Sequence, residues 1–365
     1  MGSRYPEQCS LSVPTPEELR QGGKRAPEAM ANPKLFRALV DLLHVNPCRL
    51  PPTTGEWRVD LNQALFMAVM GESFSWEFLN ARGEIPQEPT RYLDPGMAEG
   101  LERAMWAAGL VGEVALGPRC GGRAELVEPL VRAEIVEAIS QRGLPGVLFT
   151  SGELQEVLLV TGYAEGGEEL TAYRAEGGGP GILFEESQRV VARDWFRHVL
   201  GAIYLRGRAP LPPLEEVYRA ALEAAVPILR RTQVGDWLSG QAMWSKWAEA
   251  LVDPTLDADD DATRARRASL FDPLWCDLAE RRWYGSLFLN SAADRLPAAK
   301  AELSQAAQEY QILHDLMWKV HAAETSPKTG ISPATRREAA AVVREAAGHD
   351  AHATDLLEAA CRLIS

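Results

Sequence analysis

Apolar side chains in the first part of the chain recur with the 3.6-residue period of an amphipathic helix. Between residues 33 and 44 the stripe includes Leu39 and Leu43, and Asn32 and Pro33 are typical of a helix start. The same pattern predicts helices over residues 60–70, 97–108 and 126–140. We therefore expect four helices before any strand.

The hydrophobic period changes to that of strands after residue 143. Apolar runs at residues 147–149 and 157–160, bounded by glycine, predict two buried strands. Residues 170–174 alternate after the turn-forming run 165–168, which predicts a hairpin. A further apolar run at residues 202–205 would close the sheet. The sheet is therefore expected to be small and mostly antiparallel.

The run Leu211-Pro212-Pro213 marks a boundary, because the residues beyond it follow helical patterns almost throughout. We predict helices over residues 214–231, 237–252, 262–290 and 298–323, with two shorter ones after Ser332. The predicted fold class is α+β. It comprises a polar N-terminal tail (1–30), an α+β domain (31–210) and an all-α helical domain (211–365).

The amino-acid composition and net charge disfavour some classes of binding partner. The 365 residues carry a net charge of −13, whereas binding to a nucleic-acid duplex or an anionic membrane needs a cationic face. We expect neither partner, and no apolar run is long enough to span a bilayer. The composition, rich in Ala, Arg, Gly and Leu, is typical of high-GC bacteria.

The cysteines indicate a reducing compartment. They are odd in number, widely spaced and without a C-x-x-C pair, at Cys9, Cys48, Cys120, Cys276 and Cys361. A disulfide framework or a zinc ribbon is disfavoured by this spacing. We expect a cytoplasmic protein.

No cofactor or metal motif is complete. The glycine-rich run 177–181 lacks both phosphate-loop signatures, and the run 71–75 misses a nucleophile elbow by one residue. His349, His352 and Asp355 have metal-ligand spacing on the last predicted helix, but exposed histidines of this kind are common. We predict no cofactor and no metal.

Several short segments together resemble a known family. A helix leads into Arg142-Gly143-Leu144-Pro145, followed by the strand Leu159-Val160-Thr161-Gly162-Tyr163 and a hairpin. Segments 66–78, 242–251 and 310–320 add to the likeness. This layout resembles the core of papain-like proteins, in particular the C39-like cysteine peptidases and the butirosin-biosynthesis-H-like acyltransferases with a helical C-terminal extension. The resemblance implies a papain-like core for residues 31–210.

The resemblance also implies a nucleophilic cysteine at the start of the first core helix, a histidine on a central strand and a residue that orients the histidine. The corresponding positions here are Pro33 or Lys34, then Glu156, then the neighbourhood of Arg174. All three depart from the pattern, so the resemblance implies a scaffold without thiol chemistry. The alternative is that Cys48 or Cys120 is the nucleophile.

We expect the cleft of this scaffold to bind a ligand. The candidate binding residues are Lys34, Glu72, Ser73, Glu156 and Tyr163. A carboxylate on the inward side of an apolar strand needs a partner, so Glu156 is predicted to approach Lys34 or to hold an amine of the ligand. The alternative is a solvated Glu156, since side chains alternate along a strand.

Three functions stay open at this point. The first is a cytoplasmic ligand-binding or accessory protein for a small amine, acyl or peptide-like ligand. The second is an acyltransferase or amide hydrolase of the cysteine-nucleophile type. The third is an interaction protein that acts through its helical half, as a homodimer.

Overall fold

The structure is a computed structural model. It describes residues 5–20, 24–25, 31–49, 57–58, 61–84, 96–118, 122–154, 156–175, 184–258, 260–323 and 331–365. The helices are α1 Pro16–Arg20, α2 Ala31–Leu42, α3 Leu61–Val69, α4 Met97–Ala107, α5 Glu128–Glu137, α6 Leu214–Arg230, α7 Gly240–Leu251, α8 Asp261–Arg295, α9 Lys300–Ala323 and α10 Pro333–Ile364. The strands are β1 Cys9–Ser10, β2 Lys24–Arg25, β3 Trp57–Arg58, β4 Glu77–Asn80, β5 Leu110–Leu116, β6 Gly146–Thr150, β7 Glu156–Ala164, β8 Glu169–Ala175, β9 Arg189–Ala192, β10 Val199–Arg208, β11 Gln233–Val234 and β12 Trp237–Ser239.

Contacts divide the chain into two compact units, and neither is a single stretch of sequence. The first unit comprises Met1–Phe66 and Arg91–Leu214. The second comprises Met67–Thr90 and Glu215–Ser365. The second boundary lies close to the predicted proline-rich one. The grouping of residues 67–90 with the later helices has no counterpart in the sequence analysis.

An antiparallel sheet forms the centre of the first unit. Within the described residues it has seven strands in the order β5-β10-β6-β7-β8-β9, and β1 pairs with β7. The pairing of Leu148 with Leu158 sets the register of β6 against β7. The predicted α+β class with a mostly antiparallel sheet is therefore confirmed.

The two faces of this sheet are covered by different helices. Leu158 and Val160 of β7 pack with Ile135 of α5 in one buried cluster. Helix α2 contacts β7 and β8 but contributes no residue to that cluster. Because strand side chains alternate between faces, α2 lies on the opposite face from α5. Burial on both faces explains the continuous apolar run 157–160.

Long helices form the second unit. Helix α9 packs against α8 and α10, and α10 packs against α7. A small three-stranded sheet, β11-β12-β4, joins this unit within the described residues. The C-terminal region is thus mainly helical, as predicted.

Some helices and strands begin or end at residues other than those predicted. The helix expected over residues 237–252 begins at Gly240, because residues 237–239 pair as β12 with β4 and Gly240 has a left-handed φ of 52°. The two short helices expected after Ser332 are one helix, α10. Strands β5 and β9 were not predicted. Among the described residues no helix combines the length and apolarity needed to cross a membrane.

Two helical glycines in the second unit provide a matched test of its packing. A Cβ at Gly285 in α8 would lie 2.7 Å from the Tyr310 ring, whereas a Cβ at Gly348 in α10 meets nothing within 4 Å. Gly285→Ala is expected to lower the free energy of unfolding by about 1–3 kcal/mol through overpacking. Gly348→Ala is expected to raise it by about 0.5–1 kcal/mol, because alanine favours the helix. Urea denaturation of both variants checks this, and a stabilising Gly285→Ala would contradict the described packing.

Candidate functional site

Lys34 is the fourth residue of α2. It is 1% exposed, and Arg37 one turn later is also buried. Arg37 donates a hydrogen bond to Asp41 at 2.9 Å, which compensates its charge. A cation is costly to bury unless it is paired, so both positions have a specific electrostatic environment.

The two candidates on β7 have different surroundings. Glu156 begins the strand and pairs through its backbone with Thr150, while its side chain lies outside the described part of the structure. The approach of Glu156 to Lys34 therefore stays a prediction. Tyr163 is buried in the α5 cluster, and its Oη donates a hydrogen bond to the carbonyl oxygen of Pro6 at 3.2 Å. This hydrogen bond thus holds the N-terminal segment against the sheet.

Glu72 and Ser73 belong to the second unit, whereas Lys34, Glu156 and Tyr163 belong to the first. A carboxylate oxygen of Glu72 lies 2.8 Å from the guanidinium of Arg281. Ser73 is fully buried, and its Oγ has no hydrogen-bond partner among the residues that the structure describes. Its carbonyl oxygen accepts a hydrogen bond from Arg282 at 2.6 Å. Both residues therefore fix the segment after α3 among the helices.

A buried ion pair is the centre of this polar network. Arg282 and Asp350 have side chains that are 1% and 2% exposed and lie 3.0 Å apart. Asp350 also accepts a hydrogen bond from the indole of Trp244 at 2.9 Å. This pair was not predicted from the sequence. Its only signal is a pair of arginines, at positions 281 and 282, inside the apolar pattern of α8.

The neighbouring Arg281 is held by several carboxylates. It donates a hydrogen bond to Asp277 at 2.8 Å and another to the hydroxyl of Ser75 at 2.7 Å. Burial lowers the pKa of Arg281, but the charges of Asp277, Glu72 and Glu77 outweigh it and raise the pKa above its ordinary value. Arg281 is therefore a permanent cation, suited to structure and unsuited to proton transfer.

Three tryptophan side chains pack against one another beside this polar network. The Trp76 ring lies 4.6 Å from Trp244 and 5.2 Å from Trp247, centroid to centroid. All three rings, and Trp237 as well, are buried. These four rings form part of the core of the second unit.

The described cysteines are free thiols in dissimilar places. Cys48 follows the C-terminal end of α2, is 2% exposed, and its Sγ donates a hydrogen bond to Asn46 at 3.3 Å. Cys276 is exposed on α8, and Cys361 is half-buried on α10. Burial raises the pKa of the Cys361 thiol. Cys120 lies outside the described residues.

The histidines near the C-terminus form an ion-pair cluster. His349 and His352 both place Nδ1 against the carboxylate of Glu309, at 2.5 Å and 2.9 Å. Asp355 pairs instead with Arg230 at 2.6 Å. In the part of the chain that the structure describes, no three side chains are grouped to hold a metal ion.

Disruption of the buried pair tests whether Arg282 organises the second unit. Asp350→Asn leaves the guanidinium buried without a counter-charge, so we expect a loss of about 3–5 kcal/mol in unfolding free energy. The double variant Arg282→Met/Asp350→Leu should lose less than Asp350→Asn, because no unpaired charge remains. Glu186→Gln, in the exposed pair with Arg189, is the control and should change stability by less than about 1 kcal/mol. A double variant as unstable as the single one would contradict this role.

The Glu309 cluster predicts a pH dependence. Burial raises the pKa of Glu309, but hydrogen bonds from His349 and His352 prevail and hold it below the ordinary value of 4.5. A carboxylate with a depressed folded-state pKa stabilises the fold above its unfolded pKa and loses that contribution as the pH falls through the folded value. Glu309→Gln should therefore cost about 1–2 kcal/mol at pH 5.5 and much less at pH 3. Chemical denaturation at both pH values measures this, with Glu345→Gln, at an exposed position of α10, as the control. Equal losses of unfolding free energy at both pH values would be inconsistent with the prediction.

No family model matches the chain, and no curated protein matches it. The likeness to papain-like proteins accordingly rests on the short sequence segments alone.

Proposed function

We propose that the chain is a ligand-binding or accessory protein on a papain-like scaffold that performs no thiol catalysis. The ligand is a small amine, an acyl compound or a peptide-like molecule. The proposed compartment is the cytoplasm, which agrees with the free thiols of Cys9, Cys48, Cys276 and Cys361.

The observation that carries this proposal is the start of α2. The resemblance implies a nucleophilic cysteine at the start of this helix, because the positive end of the helix dipole stabilises a thiolate. The chain has Pro33 and the buried Lys34 instead. A lysine ammonium offers only hydrogen-bond donors, which suit the carbonyl or carboxylate oxygen of an acyl or peptide-like ligand.

The placement of Cys48 also supports binding over catalysis. A nucleophilic thiol must be reached by its substrate, and Cys48 is buried in the turn after α2. It lies at the negative end of the helix dipole, which disfavours the thiolate. An acyltransferase or amide hydrolase would therefore depend on a different thiol, such as Cys120 or the exposed Cys276.

A second candidate function, an interaction protein acting through the helices, is favoured by one surface of α9. Trp318 is 48% exposed there. The Trp318 indole donates a hydrogen bond to His314 at 3.0 Å and packs against Trp275 at 5.1 Å. Such an aromatic surface suits association between copies of the chain.

Mass spectrometry of the protein as purified from cells tests the proposal. We expect a bound small molecule under native conditions that is lost on denaturation and is retained by a variant with all five cysteines changed to serine. Lys34→Met should abolish it, whereas Lys300→Met, at an exposed position of α9, should not. If no molecule co-purifies, thermal shift with amines, N-acyl amino acids and dipeptides replaces this readout, with the same variants.

The results of these experiments distinguish between the candidate functions. A covalent adduct on a cysteine that survives denaturation would establish thiol chemistry and overturn the proposal. Absence of any Lys34-dependent ligand in both assays would overturn it as well. A native mass of twice the chain, without a ligand, would favour the interaction protein.

A further inference from the structure

The N-terminal segment, residues 5–11, adds a strand to the central sheet of the first unit. Strand β7 pairs with β8 up to its last residue, Ala164, whereas its pairing with β6 stops at Val160. Beyond Val160 the edge of β7 that faces β6 pairs with β1 instead, and Cys9 lies opposite Tyr163. The segment therefore covers an edge whose backbone groups need a strand as their partner.

Hydrogen bonds to the backbone of the segment fix its position on this edge. The amide of Leu11 donates a hydrogen bond to the carbonyl oxygen of Thr161 at 2.7 Å. The amide of Gly166, in the turn after β7, donates one to the carbonyl oxygen of Glu7 at 2.9 Å. Both bonds use main-chain atoms of the segment, so the same segment of any copy of the chain forms them equally well.

Gly162 lets the segment approach the sheet closely. A Cβ on Gly162 would lie 3.1 Å from Cβ of Ser10 and 3.2 Å from the carbonyl oxygen of Cys9. A glycine within a strand often marks a place where another backbone comes near. The edge of β7 is thus shaped to take this strand in this register.

The segment covers the sheet while it stays accessible to solvent itself. Tyr5, Cys9 and Leu11 are half-buried against the apolar cluster around α5, and none of residues 5–19 is buried. By contrast, Tyr163 on β7 is buried. An element with few buried side chains opens at a small cost in free energy. Its opening uncovers the edge of β7, and an uncovered edge is a template for another strand.

We propose that this edge binds the N-terminal segment of a second copy of the chain, so that two chains associate by exchanging residues 5–11. Each exchanged segment makes the same contacts that it makes within one chain, so no contact is lost. Residues 12–23, which connect the segment to β2, span up to roughly 40 Å when extended, enough to reach a neighbouring chain.

A second copy suits this edge better than an unrelated peptide does. Main-chain hydrogen bonds are available to any extended peptide, whereas side-chain pockets give such sites their specificity. The half-buried positions of the segment carry Tyr5, Cys9 and Leu11, which fit the apolar cluster. The association involves neither Lys34 nor the exposed Trp318, so it goes beyond both candidate functions.

Cysteines placed at the closest contact test the exchange in the full chain. Ser10→Cys and Gly162→Cys put two thiols at a Cβ separation of 3.1 Å, slightly below the roughly 3.5–4.5 Å of a disulfide. Cys9→Ser is added to every chain, so that position 10 carries the only thiol of the segment. Circular dichroism checks that each variant is folded.

The first measurement mixes a chain that carries Ser10→Cys with a tagged chain that carries Gly162→Cys, in the presence of oxidised glutathione. A disulfide between positions 10 and 162 then joins two different chains. The matched control for random collision is Val191→Cys, at an exposed position of the edge strand β9. We expect the 10–162 peptide link at least about tenfold above the 10–191 link, because docking raises the local thiol concentration.

The second measurement uses one chain that carries both Ser10→Cys and Gly162→Cys. When it is reduced, we expect light scattering to show a dimer fraction that rises as the chain approaches about 1 mM, the effective concentration of a segment on a short linker. When it is oxidised in dilute solution, the disulfide locks the segment within its own chain, and the dimer should disappear. Trp318→Ala should leave the dimer unchanged, which separates this contact from the surface of α9.

A third measurement needs no substitution. The unmodified chain should form the same dimer, and an excess of a synthetic peptide of residues 5–13 should return it to the monomer by filling the edge of β7. Any of three results would overturn the proposal: a 10–162 link no more frequent than the 10–191 link, an unmodified chain that stays monomeric up to about 1 mM, or a dimer that persists in the oxidised chain or with excess peptide. None of these results bears on ligand binding at Lys34.

Discussion

The buried guanidinium of Arg282 is the constraint on which the helical unit depends. An ion that is removed from water must find all its partners within the protein, and those partners come from distant parts of the chain. Asp350 comes from α10, the carbonyl of Ser73 from the segment after α3, and the ring of Tyr310 from α9, 4.9 Å from the guanidinium carbon. The charge is satisfied when these separate elements are assembled together, so the ion pair favours this arrangement of the helices.

The first unit is organised by burial of apolar surface. Its central strands are covered by α5 on one face and by α2 on the other, and the strand run 157–160 is buried throughout. Polar contacts are placed at the edges of this core. Tyr163 reaches Pro6, and Trp195 donates a hydrogen bond from its indole to the carbonyl of Gly167 at 3.1 Å. These bonds hold the N-terminal segment and the turn that shape the α5 side of the sheet.

The helices and the central strands could be predicted because their hydrophobic periods are set by residues that are neighbours in the sequence. The apolar period of α2 and the buried runs of β6 and β7 depend on neighbours in sequence. Strand β5 was not predicted, because its half-exposed residues have the polar pattern of a loop. Strand β12 was not predicted, because it pairs with β4, which is distant in the sequence.

The candidate site residues were harder to predict than the fold. Glu72 and Ser73 were chosen for a cleft, yet their contacts are with Arg281 and Arg282, more than two hundred positions later. Nothing in the sequence near Ser73 specifies such partners.

The discontinuous make-up of the two units has a consequence for synthesis on the ribosome. Phe74 and Trp76 leave the exit tunnel early, but Trp244, Arg282 and Asp350, around which they are buried, emerge near the end of translation. At a synthesis rate of about 5–20 residues per second this delay is on the order of ten to fifty seconds. The first unit can close once residue 214 has emerged, while its inserted apolar segment still waits for its partners. Until those partners emerge, the apolar side chains of that segment stay exposed to solvent and to other nascent chains.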